Sequence, residues 1–80
     1  MKLYVGNLPW SVNDAQLREL FAQHGDVQSA RVMQDRETGR SRGFAFVEMP
    51  DDDANTAMQA LNGYAFEGRP IVVNEARPRT

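Results

Sequence analysis

Arg42-Gly43-Phe44-Ala45-Phe46-Val47-Glu48-Met49 is the stretch that decides the fold. Successive side chains in a strand point to opposite faces of the sheet, so these eight residues have two unlike sides. Ala45, Val47 and Met49 make one side, apolar and compact enough to lie beneath packed helices. Arg42, Phe44, Phe46 and Glu48 make the other. A strand whose second face only meets water carries Thr, Lys or Glu there. Two phenylalanines framed by two charges instead describe a surface that something flat will cover.

The flanking chain supplies the rest of such a sheet. Residues 2 to 6 alternate, with Leu3 and Val5 against Lys2, Tyr4 and Gly6, which predicts a short strand with an aromatic opposite its apolar pair. Pro9 closes that strand. Asn13 is a good N-cap, with Gln16 as its capping-box partner and Val12 set to staple onto Leu17. A helix is expected from Asp14 to His24, stopped at Gly25, a residue able to adopt positive φ, with Leu17, Leu20 and Phe21 as its apolar stripe. Val27 to Gln34 predicts a second strand that buries Val27, Ala30 and Val32 and turns Arg31 and Met33 toward the aromatic side. A charged loop, Asp35 to Ser41, leads into the central stretch. Beyond Pro50, Asp51 is expected to cap a second helix striped by Ala54, Ala57, Met58 and Leu61, which ends at Asn62-Gly63. Tyr64 to Pro70 is turn-rich, and the last strand sets Ile71 and Val73 against Val72 and Asn74.

The order is β-α-β-β-α-β, that of the ferredoxin-like α+β architecture, in which two helices cover one face of a four-stranded antiparallel sheet. The chain is expected to be one domain over residues 1–76, with a basic tail at 77–80. The open face collects Tyr4, Phe44 and Phe46. Soluble proteins usually avoid such an exposed aromatic patch unless it binds something.

The central stretch resembles the longer signature of the RNA recognition motif family, K/R-G-F/Y-G/A-F-V-x-F/Y, departing only at Met49, whose side chain alternates onto the buried face. Leu3-Tyr4-Val5-Gly6-Asn7-Leu8 resembles the family's second signature, and the likeness extends from Leu3 to Ala76. It implies that Tyr4 and Phe46 stack bases, that Phe44 packs against sugars and that Arg42 meets a phosphate. It also implies base-edge readers in Asn74, Ala76 and Arg77. Lys2, Arg31 and Met33 would extend the platform, and Arg36 and Arg40 would reach over it. The relatives suggested are short single-domain RNA-binding proteins of bacteria and organelles and the corresponding half of plant glycine-rich proteins. RNA chaperoning and post-transcriptional regulation are the roles this implies. The ligand is single-stranded, because paired bases offer no free faces. The residues do not separate RNA from single-stranded DNA.

Other readings of the same residues are weaker. A protein-interaction module using the aromatic face for a peptide or for self-association needs no basic rim, and here one is present. An enzyme is not expected, since no nucleophile-base pair or phosphate-cradling glycine loop is visible. Asp51, Asp52 and Asp53 suit a helix N-terminus better than a metal, so neither metal nor cofactor is expected. His24 stands alone near a helix end. Trp10 is expected to pack over the first helix. With no cysteine and no apolar run at Met1-Lys2-Leu3, the expectation is a cytoplasmic monomer without membrane contact.

Net charge is −2, so binding cannot rest on bulk attraction to phosphates. Asp14, Glu19, Asp51, Asp52 and Asp53 belong to the helices and hence to the back. On the sheet and its loops, Lys2, Arg31, Arg36, Arg40, Arg42, Arg77 and Arg79 outnumber Asp35, Glu37, Glu48 and Glu75. The expected outcome is a shallow salt dependence. Log affinity plotted against log salt should have a slope matching fewer than about six released ions, with stacking supplying much of the affinity. A steeper slope in a fluorescence-anisotropy titration contradicts this.

Overall fold

Strand β1 (Lys2–Gly6) shows how the pleat sorts this chain: Leu3 and Val5 are fully buried, while Lys2 and Tyr4 are exposed. The computed structural model describes residues 1–34, 36–38 and 41–76, with backbone alone at Ser41 and Arg42. After β1 come α1 (Asp14–Ala22), β2 (Ser29–Gln34), β3 (Ser41–Glu48) and α2 (Asp51–Leu61). A small pair of strands, β4 (Ala65–Phe66) and β5 (Arg69–Pro70), precedes β6 (Val72–Glu75). The main sheet is antiparallel throughout, in the order β2-β3-β1-β6. This is the ferredoxin-like βαββαβ fold. No helix among the described residues is long and apolar enough to cross a membrane.

One core fills the space between sheet and helices. Leu3, Val5, Val32, Ala45, Val47 and Val73 contribute from the strands, and Leu17, Leu20, Phe21, Ala54, Ala57 and Leu61 from the helices. Met49 is fully buried just beyond β3, as its alternation predicts, and its N–H continues the ladder to the Met1 carbonyl at 3.0 Å. Packing rather than intrinsic propensity holds α1, which at nine residues is too short to persist alone. Its capping box is formed: Asn13 accepts from the Gln16 N–H at 2.8 Å, and Gln16 accepts from the Asn13 N–H at 3.1 Å. Such a cap contributes about 1 kcal/mol. Burial of Leu17, Leu20 and Phe21 contributes about 1.5–3 kcal/mol each.

Several local expectations are corrected. Helix α1 ends at Ala22, and the His24 N–H turns back to the Phe21 carbonyl at 3.0 Å in a tightened last turn. Gly25 takes the expected positive φ, +158°, and also serves close approach, since a Cβ there would stand 2.5 Å from Cβ of Asp53. The Asp53 carboxylate accepts from the Asp26 N–H at 3.0 Å, so this contact draws the start of α2 to the end of α1. Asp51 is the first residue of α2 and not its cap. Pro50 holds the cap position without a side-chain bond, and the three aspartates load the first turn, where the helix dipole favours them. Strand β2 starts at Ser29, and ahead of it the buried Val27 gives its carbonyl to the Arg18 guanidinium at 3.0 Å. The turn-rich segment folds into the β4-β5 pair. Glu67 and Gly68 at its tip both have positive φ, the signature of a two-residue hairpin turn.

Both outer strands have an N–H pointing away from the sheet that a side chain answers. On β2, the Val32 N–H donates to Asp14 Oδ1 at 2.7 Å. On β6, the Val73 N–H donates to Asn62 Oδ1 at 3.2 Å. Asp14→Ala leaves a nearly buried donor without its acceptor and should cost about 1–2 kcal/mol in urea unfolding. Amide exchange should accelerate at Val32 more than at its neighbours in the sheet. Unchanged protection at Val32 would show that the carboxylate is dispensable there.

Candidate nucleic-acid interface

The face of the sheet opposite the helices is built from the alternate residues of the same strands. Pairing across β1, β3 and the outer strands sets them in rows. Arg31, Phe46, Tyr4 and Asn74 form the middle row, and Ser29, Glu48 and Lys2 form the row beside it. Phe44, Gly6 and Val72 form the third. The face thus grades from charged at one end to apolar at the other. Alternation is unbroken from Phe44 to Glu48. Ahead of it, Gly43 has φ +92° and β3 carries two more residues than β2 across the irregular pairing there.

The three rings form a close triangle. Tyr4 and Phe44 are stacked with centroids 6.2 Å apart. Phe46 meets Tyr4 at 6.0 Å and Phe44 at 6.2 Å, edge to face in both cases. Tyr4 is 37% exposed, and the two phenylalanines are half-buried. Gly6 explains how Tyr4 lies down: a Cβ on Gly6 would stand 2.9 Å from Tyr4 Cε1 and Oη, so the bare backbone makes room for the ring. Lys2 places its ammonium 4.8 Å from the Phe46 centroid, a cation over a ring face.

The other sequence-predicted residues divide. Arg31 is exposed directly across from Phe46, and Met33 is half-buried beside it, both lining a trough of about 510 Å³ with Phe46 and Lys2. Asn74 is exposed next to Tyr4. The Ala76 N–H is already given to the Lys2 carbonyl at 2.8 Å, so that backbone donor is not free to read a base. Arg36 is exposed in the turn after β2 and does not line the trough. Arg40, Arg77 and the side chain of Arg42 lie outside the described residues.

Three placements differ from expectation. Asp14 is expected at the back, yet its carboxylate comes round the edge of β2 and lines the trough. Glu75 pairs with Leu3 and so falls in a row of the helix face rather than the front. Trp10, expected to pack over α1, is 58% exposed in the loop after β1. Ser29 joins this face without any local signal in the sequence. Only the register, which sets it across from Glu48, places it on this face. Among the described residues, no group of three His, Asp or Glu side chains is placed to hold a metal ion. The arrangement offers flat π-faces, two nearby cations and hydrogen-bonding groups at the margin, which suits unstacked bases.

Comparison with known proteins agrees with that chemistry. The model of a family described as the RNA recognition motif matches residues 3–72. RNA-binding protein CP31B, chloroplastic, of Arabidopsis thaliana is 55% identical over 80 residues, covering 99% of this chain and 28% of that protein. The crystal structure of RNA Binding Protein PG1 superposes with a TM-score of 0.91 at 51% identity, covering 100% of this chain and 98% of that one. A Sex-lethal protein/RNA complex superposes with a TM-score of 0.91 at 35% identity, covering 99% of this chain and 48% of that one. The chain spans well under two thirds of the curated relatives it matches. The expected cytoplasmic location is overturned: CP31B and three further relatives, from Spinacia oleracea and Nicotiana sylvestris, are named chloroplastic. Those names point to the chloroplast rather than the cytoplasm.

Because the Tyr4 ring rests on Gly6, Gly6→Ala should displace it while leaving the fold intact. Ring-proton shifts of Tyr4 and Phe44 should move in NMR spectra. Affinity for single-stranded RNA should fall by about 1 kcal/mol, the lower end of one stacked base. Unmoved ring shifts contradict this account of Tyr4.

Proposed function

The chain belongs to the RNA recognition motif family, and we propose that it binds single-stranded RNA without catalysis on a platform formed by Tyr4, Phe44 and Phe46. One base stacks on Tyr4 and the next on Phe46, while Phe44 packs against the sugars between them. Lys2 and Arg31 flank the rings as the cations nearest the strand. Asn74 reads the base edge at Tyr4. Arg42 meets a phosphate, Arg36 and Arg40 reach over the platform, Arg77 reads a base edge, and Met33 extends the apolar floor. The domain takes in residues 1–76, works as a monomer and holds a few nucleotides. Single-stranded DNA presents the same ring faces and binds there too. No residue of this platform performs a chemical step.

The observation that carries this reading is the triangle of three rings, all about 6 Å apart on a face that the helices leave open. A base has a π-face whatever its identity, and each stack contributes roughly 1–3 kcal/mol. Two stacks and a few phosphate contacts give a modest, reversible grip. That suits post-transcriptional regulation or RNA chaperoning, in which strands are held and released.

Tyr4→Ala and Phe46→Ala should each weaken binding of a short single-stranded RNA by roughly 1–3 kcal/mol in anisotropy titrations. Thermal unfolding should change little, since Tyr4 is exposed and Phe46 is half-buried on the open side. Wild-type affinity in both variants overturns the assignment. A collapse of cooperative unfolding would place the ring in the core instead.

A further inference from the structure

The trough on the β2 side of Phe46 is chemically unlike the ring triangle. Its volume is about 510 Å³, and its polar lining includes Lys2, Ser29, Arg31 and Glu48, with Asp14 at the outer edge. Two cations and two carboxylates balance, so a phosphate entering here gains from one pair and is repelled by the other. A neutral group with both donors and acceptors fits better. Nucleobases are such groups, and the trough continues directly from a ring on which one can stack.

The pairing register fixes which edge such a base would present. Glu48 stands between Lys2 and Ser29, two residues along β3 from Phe46 and on the same face, hence roughly 7 Å away. That distance is about the reach from a stacked base to its edge. The Asp14 carboxylate already accepts the Val32 N–H, whereas Glu48 is exposed. The Lys2 ammonium leans over Phe46, although its backbone lies opposite Glu48. Glu48 therefore offers two oxygens side by side, both acceptors only. A pair of adjacent acceptors calls for a pair of adjacent donors. Guanine has them in N1–H and its 2-amino group. Adenine and cytosine each offer one amino group beside an acceptor nitrogen, and uracil offers one N–H between two carbonyls.

We propose that this trough is a guanine-selecting subsite, in which Glu48 accepts from N1–H and the 2-amino group while Lys2 and Arg31 face the acceptor edge at O6 and N7. The subsite rests on the platform reading, since the guanine is held against Phe46. Glu48 is then the specificity-determining residue of the β2 side. It sets which base is preferred, while the rings set how tightly any base is held.

The test compares wild type with Glu48→Gln on three short RNAs, uridine runs carrying guanosine, inosine or uridine at one central position. Inosine keeps N1–H and O6 and lacks only the 2-amino group. Wild type should bind the guanosine RNA about tenfold more tightly than the inosine RNA, as expected for loss of one arm of a bidentate pair. Glu48→Gln should shrink that ratio to about twofold. The readout is the ratio, because removing a negative charge raises affinity for every RNA alike. Equal binding of guanosine and inosine RNAs by wild type, or an undiminished ratio in Glu48→Gln, overturns the proposal while the all-uridine RNA still reports the platform. Failure of all three RNAs to shift the amides of Tyr4 and Phe46 in NMR titrations overturns the platform, and the subsite with it.

Discussion

The strict twofold alternation of β1 and β3, the two inner strands, is the constraint on which this molecule depends. Leu3, Val5, Ala45 and Val47 are all fully buried, and between them stand Tyr4, Phe44 and Phe46 on the other side. A slip of one residue in either strand would exchange the faces, burying the rings and exposing the core. The hydrophobic energy that seats four aliphatic side chains under the helices thus also fixes three rings above the sheet. No separate device is needed to position the aromatic surface. The core and the aromatic face are two sides of one pleat.

Much of this was legible because it is written locally. The alternation in residues 42–49 and 2–6, the capping box at Asn13 and Gln16, and the apolar stripes of both helices each need only neighbours within a few residues. What stayed hidden depends on contacts far along the chain or on unfavoured local chemistry. Gly25 is required by Asp53, twenty-eight positions later. Asp14 serves β2 rather than its own helix, and nothing at residue 14 announces an amide at residue 32. The β4-β5 turn uses Glu67 at a positive φ, where Asn or Gly would have signalled it.

Of the candidate site, the rings were legible and their margin was not. Alternation alone placed Tyr4, Phe44 and Phe46 together. Which polar residues stand beside which ring follows from register across strands separated by up to seventy residues. Thus Ser29 across from Glu48, Asn74 beside Tyr4 and the loss of the Ala76 N–H to β1 emerge only from the structure. Cellular location is a different matter. No residue of the folded domain encodes it, and the correction came from the names of related proteins.

The two side chains that answer the outward amides of β2 and β6 have a consequence for crowding. An outer strand with open donors is a template for a strand from another molecule, and sheets that lengthen in this way precipitate. With Asp14 holding the Val32 N–H and Asn62 holding the Val73 N–H, part of each lateral rim is already occupied. Copies of this domain brought close together then meet through rims that resist edge-to-edge fusing.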